Sequence, residues 1–423
     1  MRPRETITAL AAFEARGAGT DAERRTAQWL ARDLVANRQR VRVETFWCRP
    51  NWALAHAWHV ALALVGSLLS VSHPTIGAVL LAVAVASTIA DDVLGTSLGR
   101  RLTPERASQN VIATAHSKGP GSRPDPGTGT GPGAEPGAEP GTGPDGDPPA
   151  RLIVTANYDA GWTGLIYRDP VRAAAARVRR ATGGFAPGWL AWVALAMAYE
   201  LAIAIVRVTQ HHPPHALGVL QLPPAVALVL VLALLLEAAG AGYGPGAGDN
   251  ASGTAVALEL ARTMTADLAQ QDSAQRDLTI ELVLQGAGQD EQIGLRRYLK
   301  ARKRELKHAN VAVLGVAASG DGHPAWWFSD GRLVPVRYGR TLRTLAERTS
   351  AGAHRGRGST PALPARAAGL PAIAIGCLDD RGLAPRSHQR TDTQDHIDDH
   401  AVGGAVALGL TLISELTKTA TQV

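Results

Sequence analysis

The chain has 423 residues, 45% of them apolar, 19% charged and 4% aromatic, with 45 glycines and 26 prolines. That composition excludes a collagen, a coiled coil and a fully disordered chain, and two cysteines exclude a disulfide scaffold or a cysteine-rich zinc module. The net charge of +6 comes almost wholly from arginine; on a chain this long it is a weak argument for nucleic acid, which is not an expected partner.

The N-terminal MRPRETITALAAFEARG carries Glu5 and Glu14 and has no continuous apolar stretch. It reads as an amphipathic helix rather than a signal peptide. A second helix is predicted over 21–36, with Asp21 as its N-cap. The alternation in RVRVETFW predicts a strand over 40–47.

Four apolar runs follow, at 52–71, 75–90, 189–206 and 216–236. A helical span needs roughly 17–25 residues, and only the second run falls a little short. Short connections pair the runs, so two membrane hairpins are expected rather than buried helices of a soluble domain. Arg38, Arg40, Arg42, Arg49, Arg100, Arg101, Arg106, Arg168, Arg172, Arg177, Arg179 and Arg180 flank the hairpins on the side of the remaining chain, and Arg207 stands alone on the other. That bias predicts a multi-pass cell-membrane protein with its globular part in the cytoplasm, a compartment that also suits two free cysteines. Glu200 inside the third run points to a polar contact in the helix bundle. His211, His212 and His215 crowd the second hairpin loop and read as a polar cap or a metal or pH-sensing group.

Residues 117–149 are low in complexity, with Gly or Pro at 19 of 33 positions. They are expected to form a disordered loop between strands at 110–115 and 151–157. The rest has an α/β rhythm: a helix opening at Gly253, a strand at 278–284, a helix at 293–306, strands at 310–317 and 370–377, and a last helix at about 401–416. The expected fold class is therefore α/β, a mostly parallel sheet with helices on both faces, interrupted by the two hairpins. The expected organisation is one globular domain over 1–50, 95–184 and 241–423, with hairpins at 51–94 and 185–240. Functional groups in such folds gather past the carboxyl ends of the strands.

Those loops carry, in order, NVIA, a strand ending in TANYDAG, GDNASG, GLRRYL, LPAIAI and SHQRTDT. In this order they resemble the di-zinc aminopeptidases, metallopeptidase family 28, over nearly all of the chain outside the apolar runs and the Gly/Pro loop. The resemblance implies two zinc ions held by a His, a bridging Asp, a Glu, an Asp and a second His. A further Glu beside the ligand Glu is the general base. Two such cations lower the pKa of a bridging water and stabilise an oxyanion.

Carried over residue by residue, the ligand set is broken. Asn157 stands at the first His position, with Asp159 retained as the carboxylate behind it. Asp249 matches the bridging Asp, although Asp249 and Asn250 also suit a helix cap. Gly288 and Gln289 stand at the Glu-Glu pair, so the base is Gly288. Ala312 aligns with the fourth ligand. His388 matches the fifth, with Asp392 at the expected spacing. Two ligands out of five do not hold two zinc ions, and no base of suitable reach remains. The expectation is a membrane-anchored, peptidase-like protein without hydrolysis, holding no metal or at most one weakly bound zinc, with a peptide or protein partner. A second reading is an active amidohydrolase with Asp290, Glu291 or His354 around one metal. A third is a transport or scaffold component in which the spans act. His396 and His400 in HIDDH have a metal-ligand spacing, but acids at a helix start account for that segment. WWFSDG supplies bulk for the cleft or the core.

Overall fold

The computed structural model describes residues 2–116, 150–210, 216–270, 278–289, 291–307 and 309–421. The Gly/Pro loop, the His211, His212 and His215 cluster and Asp290 lie outside them. Helices α1 (Pro3–Ala11) and α2 (Asp21–Ala36) precede strand β1 (Arg40–Cys48). The Thr20 hydroxyl, not Asp21, caps α2 by accepting from the Glu23 amide. Asp21, one position inside, pairs instead with Arg24 and Arg25. Then come α3 (Trp52–Ser72), α4 (Pro74–Leu94), α5 (Leu98–Arg101), β2 (Arg106–His116), β3 (Ala150–Asn157), α6 (Asp169–Ala181), α7 (Trp189–Thr209) and α8 (Ala216–Gly240). The later elements are α9 (Gly253–Gln270), β4 (Leu278–Gln285), α10 (Ile293–Ala301), α11 (Lys303–Lys307), β5 (Val311–Val316), β6 (His323–Asp330), β7 (Val336–Arg337), α12 (Arg340–Ala346), β8 (Gly352–Arg355), α13 (Leu363–Ala367), β9 (Ala372–Leu378) and α14 (Asp399–Thr421).

The nine strands form one sheet in the order β1-β2-β4-β3-β5-β9-β6-β7, with β8 beside β6. Its centre, β4-β3-β5-β9, is parallel, as expected of an α/β fold. β1, β2 and β6 join antiparallel, so the sheet as a whole is mixed. The central strands alternate between two cores, because successive side chains leave opposite faces of a strand. Leu152, Val154, Ala156, Leu282, Leu284, Leu314 and Val316 face α1, α2, α9 and α14. Ile153, Val283, Val313 and Ala374 face α10 and α13. Buried on both faces, these strands read as the continuous apolar runs seen in the sequence.

α3, α4, α7 and α8 are each long and apolar enough to cross a membrane. α4 is longer than its apolar run, because it starts at Pro74 and carries Asp91 and Asp92 in its last turn. The two hairpins pack together, α3 on α8 and α4 on α7. Small residues line the contacts: Ala53, Ala57, Ala63, Ala84 and Ala204, with Leu81, Met197 and Leu228 filling between. Large apolar residues point outward, among them Leu68, Leu195, Leu220 and Leu230. The polar groups are inside. The Ser67 hydroxyl donates to Glu200 at 2.8 Å, Gln221 donates to Ser67, and Arg207 donates to Ser70 at 2.8 Å.

Candidate functional site

The carboxyl ends of β3, β4 and β5 and the loops before α9 and α14 converge on Asp249. Its side chain does not cap α9. Oδ1 accepts from the Gln289 amide at 2.6 Å, and Oδ2 accepts from the Ser387 hydroxyl. His388 lies beside it, with Nε2 at 3.7 Å from Asp249 Oδ2. Nδ1 of His388 lies 2.9 Å from the Trp162 carbonyl. A carbonyl only accepts, so Nδ1 carries a proton and Nε2 is the ring nitrogen that faces Asp249. Tyr167 stacks on the His388 ring at 4.2 Å. Gly161 is a packing requirement here, because a Cβ on it would stand 2.2 Å from the imidazole. His388 itself holds a left-handed φ of 60°, a conformation that costs a non-glycine residue energy and persists only under surrounding constraint.

The two retained carboxylates behind the site bind backbone. Asp392 accepts from the Gly248 and Asp249 amides at 2.8 and 2.9 Å. Asp159 accepts from the Gly288 and Gln289 amides at 2.9 and 3.1 Å. Burial raises both, Asp392 to about 6 and Asp159 toward neutrality. One further group belongs here that no motif revealed. Arg16 is fully buried and donates to the carbonyls of Leu10, Tyr158, Pro245 and Gly246. Burial lowers its pKa to about 10, and the charges of Asp392, Asp159 and Asp249 work against that fall. The site thus has a fixed organic cation of its own. A lone Arg in a helix-rich N-terminus gives no sequence signal of that role.

The broken ligand set is visible as geometry. Asn157 is buried, and its Oδ1 has no partner. Gly288 lies against it: a Cβ there would stand 2.4 Å from the amide carbon of Asn157. Gln289 aims an N–H, not a lone pair, at Asp249. Ala312 is not at the site. It pairs with Leu152, while Ala156, next to Asn157, pairs with Val316. The residue that follows Val316 is Ala317, also without a donor atom. The sequence placement slipped because the whole apolar run NVAVLGVA fits the strand in more than one register. A two-zinc centre does not fit this donor set.

The proposed substitutes lie elsewhere. His354 packs edge-on against Trp327 at 5.3 Å. His396 sits in a short turn before α14 and His400 inside α14, so they do not share a helix face. Trp326 and Trp327 are core residues. Glu291 points toward the helical bundle, into a buried cluster that the sequence reading missed. There His56 of α3, Asp91 of α4 and Glu291 come close enough together to hold a metal ion.

Their hydrogen bonds argue for another reading. His59 Nε2 accepts from the Gly99 amide, so its Nδ1 carries a proton toward His56 Nδ1 at 3.4 Å. His56 Nε2 then bears its own proton, between Asp91 and Glu291 at 3.6 and 3.7 Å. The carboxylates are already matched by guanidinium groups. Arg100 grips Asp91 with two bonds of 2.8 Å and lies 2.7 Å from Glu291. Arg332 binds Glu291 at 2.7 Å and Asp92 at 2.9 Å. Burial alone would raise Glu291, but Arg100 and Arg332 hold it well below the usual carboxylate range. The cluster is an ionic joint between bundle and domain.

Residues 236–412, from the end of α8 into α14, match the profile of peptidase family M28. That segment belongs to peptidase family M28. Over the whole chain, the fold is similar to a zinc aminopeptidase from Bacillus subtilis, with a TM-score of 0.51 and 15% identity over 98% of this chain and 94% of that one. It is also similar to an aminopeptidase from Aneurinibacillus sp. strain AM-1, with a TM-score of 0.50 and 14% identity over 97% and 92%. At these identities the likeness speaks for the fold. No curated protein sequence matches the chain. The M28 segment contains Asp249, Gln289 and His388, while Asn157 and Asp159 precede it.

Proposed function

We propose that this is a membrane-anchored M28-like protein that binds in its cleft without hydrolysing. The observation that carries this reading is the Gln289 N–H on Asp249 Oδ1, next to a glycine where the base would stand. An amide donor at 2.6 Å occupies the lone pair a first cation needs, and Ser387 occupies the other oxygen. Among the described residues, no carboxylate within the site has both the reach and the freedom of a general base. A single cation between His388 Nε2 and Asp249 Oδ2 remains as a second, weaker possibility, with two protein ligands and only after Ser387 turns away. The arginine bias around the spans supports an anchored, multi-pass protein with the cleft on the cytoplasmic side. The half-buried Tyr167 stacked on His388 at the rim suits a peptide or protein segment.

Metal analysis and an assay on the purified full chain test this together. The expected result is well under one zinc per chain and no chelator-sensitive release of an aminoacyl p-nitroanilide. Two zinc ions per chain, lost in the Asp249→Ala/His388→Ala double variant along with chelator-sensitive turnover, overturn it.

A further inference from the structure

α6 joins the cleft to the second hairpin, and its two sides differ. The inner side carries Arg172, Ala176, Arg179 and Arg180. Arg172 donates to the Ala384 carbonyl and Arg180 to that of Asp380, which fastens the helix to the domain. The outer side carries Val171, Ala174, Ala175 and Val178, spaced to fall on one helical stripe. All four are exposed, Val171 at 49% and Val178 at 52%. The stripe continues past the helix end into Phe185, exposed at 71%, then Trp189 and Trp192 at the start of α7. Exposed Arg168 and Arg177 flank it.

We infer that α6 is an interfacial helix, lying along the membrane surface with Val171, Val178 and Phe185 in the headgroup–acyl boundary and Arg168 and Arg177 against anionic phospholipid headgroups. A helix with an apolar stripe, arginine flanks and aromatic residues where it joins a span has the pattern that partitions at that depth. The exposed apolar residues run on along the chain from α6 through Phe185 into the outward Trp192 and Leu195 of the span α7, and this continuity selects lipid over a protein partner. The inference rests on the membrane reading proposed above. Its consequence is functional. Tyr167, two residues before α6, is stacked on His388, so the cleft rim lies beside the bilayer, and its ligand arrives along the membrane surface.

Nitroxide labels separate the two readings. Cys48 and Cys377 are buried, so a label goes to an introduced cysteine. Val178→Cys probes α6, with Val171→Cys as an independent position on the same stripe. Leu68→Cys probes α3, and Arg348→Cys is a domain surface control. The protein is reconstituted in vesicles of phosphatidylcholine and phosphatidylglycerol, and oxygen and a water-soluble nickel chelate are compared as relaxers. The expected result is oxygen preference at Val178 and Val171, shallower than at Leu68, and nickel access at Arg348. Nickel access at both α6 positions with Leu68 still deep overturns the interfacial helix and leaves the anchored protein standing. Nickel access at Leu68 as well overturns both.

Discussion

The cleft and the joint between bundle and domain are both built on buried acids, and they hold them in opposite ways. In the cleft, Asp159, Asp249 and Asp392 are held by backbone amides, the Gln289 amide and a serine hydroxyl. The fully buried cation beside them, Arg16, is saturated by carbonyls. In the joint, Asp91, Asp92 and Glu291 meet Arg100 and Arg332 directly. Burial raises Asp159 and Asp392 in spite of their amide donors, while Arg100 and Arg332 outweigh burial at Glu291 and hold it low. The loop after β4 belongs to both regions. Gly288 and Gln289 form the cleft floor, and Glu291, at a left-handed φ of 72°, turns its side chain into the joint. An acid that sequence spacing offered as a substitute for the catalytic pair is therefore committed to fastening the domain to the helices.

The joint gives the largest expected effect. Removing one partner of a buried ion pair leaves uncompensated charge and costs about 3–5 kcal/mol. Glu291→Ala should destabilise the full chain by at most that order, because it takes a partner from both Arg100 and Arg332, which keep Asp91 and Asp92. Glu291→Gln keeps the shape and should cost less. Thermal unfolding in detergent measures both, and equal, small losses would show that the joint is not what fastens the bundle. The cleft comes second. Gly288→Ala brings a methyl against Asn157, an overpacking expected to cost about 1–3 kcal/mol. Adding Asn157→Ala, which removes the two nearest atoms and leaves Cβ at 2.8 Å, should recover part of it. Failure of that rescue would mean that the turn itself, not Asn157, demands glycine.

The parallel centre, both hairpins and the Asp249–His388 pair were legible because each leaves a periodic or motif-level trace. Continuous apolar strands, apolar runs of span length and GDNASG with SHQRTDT are such traces. What stayed hidden is long-range. Arg16 meets Pro245 and Gly246 from the far end of the chain. Glu291 meets His56 across 235 positions and Arg100 across 191. The acids closing α4 were visible as Asp91 and Asp92, but a hydropathy reading ends the run before them. Ala312 was misplaced because an apolar strand carries no internal register mark. Strand pairing fixes it, and pairing is not a local property.

The smallest expected effect separates the two regions by pH. Glu23, under the cleft floor, accepts from the Ser108 hydroxyl and the Ala287 and Gly19 amides. Burial first, then the nearby Asp159 charge, raises it from 4.5 to about 8. A raised acid binds its proton more tightly in the folded state, so its stabilising share is complete below the ordinary value. It is lost as pH climbs through the folded one. Glu291 is lowered instead, so its share is present at neutral pH and lost on acidification. The full chain should therefore lose stability on both sides. Glu23→Gln should flatten the upper limb, between pH 4.5 and about 8, and leave the more acid limb, and Glu291→Gln should do the reverse, each measured as Tm against pH. If Glu23→Gln leaves the upper limb unchanged, Asp159 is the group that titrates there. The amide-held acids of the cleft would then act through the residue nearest Gly288.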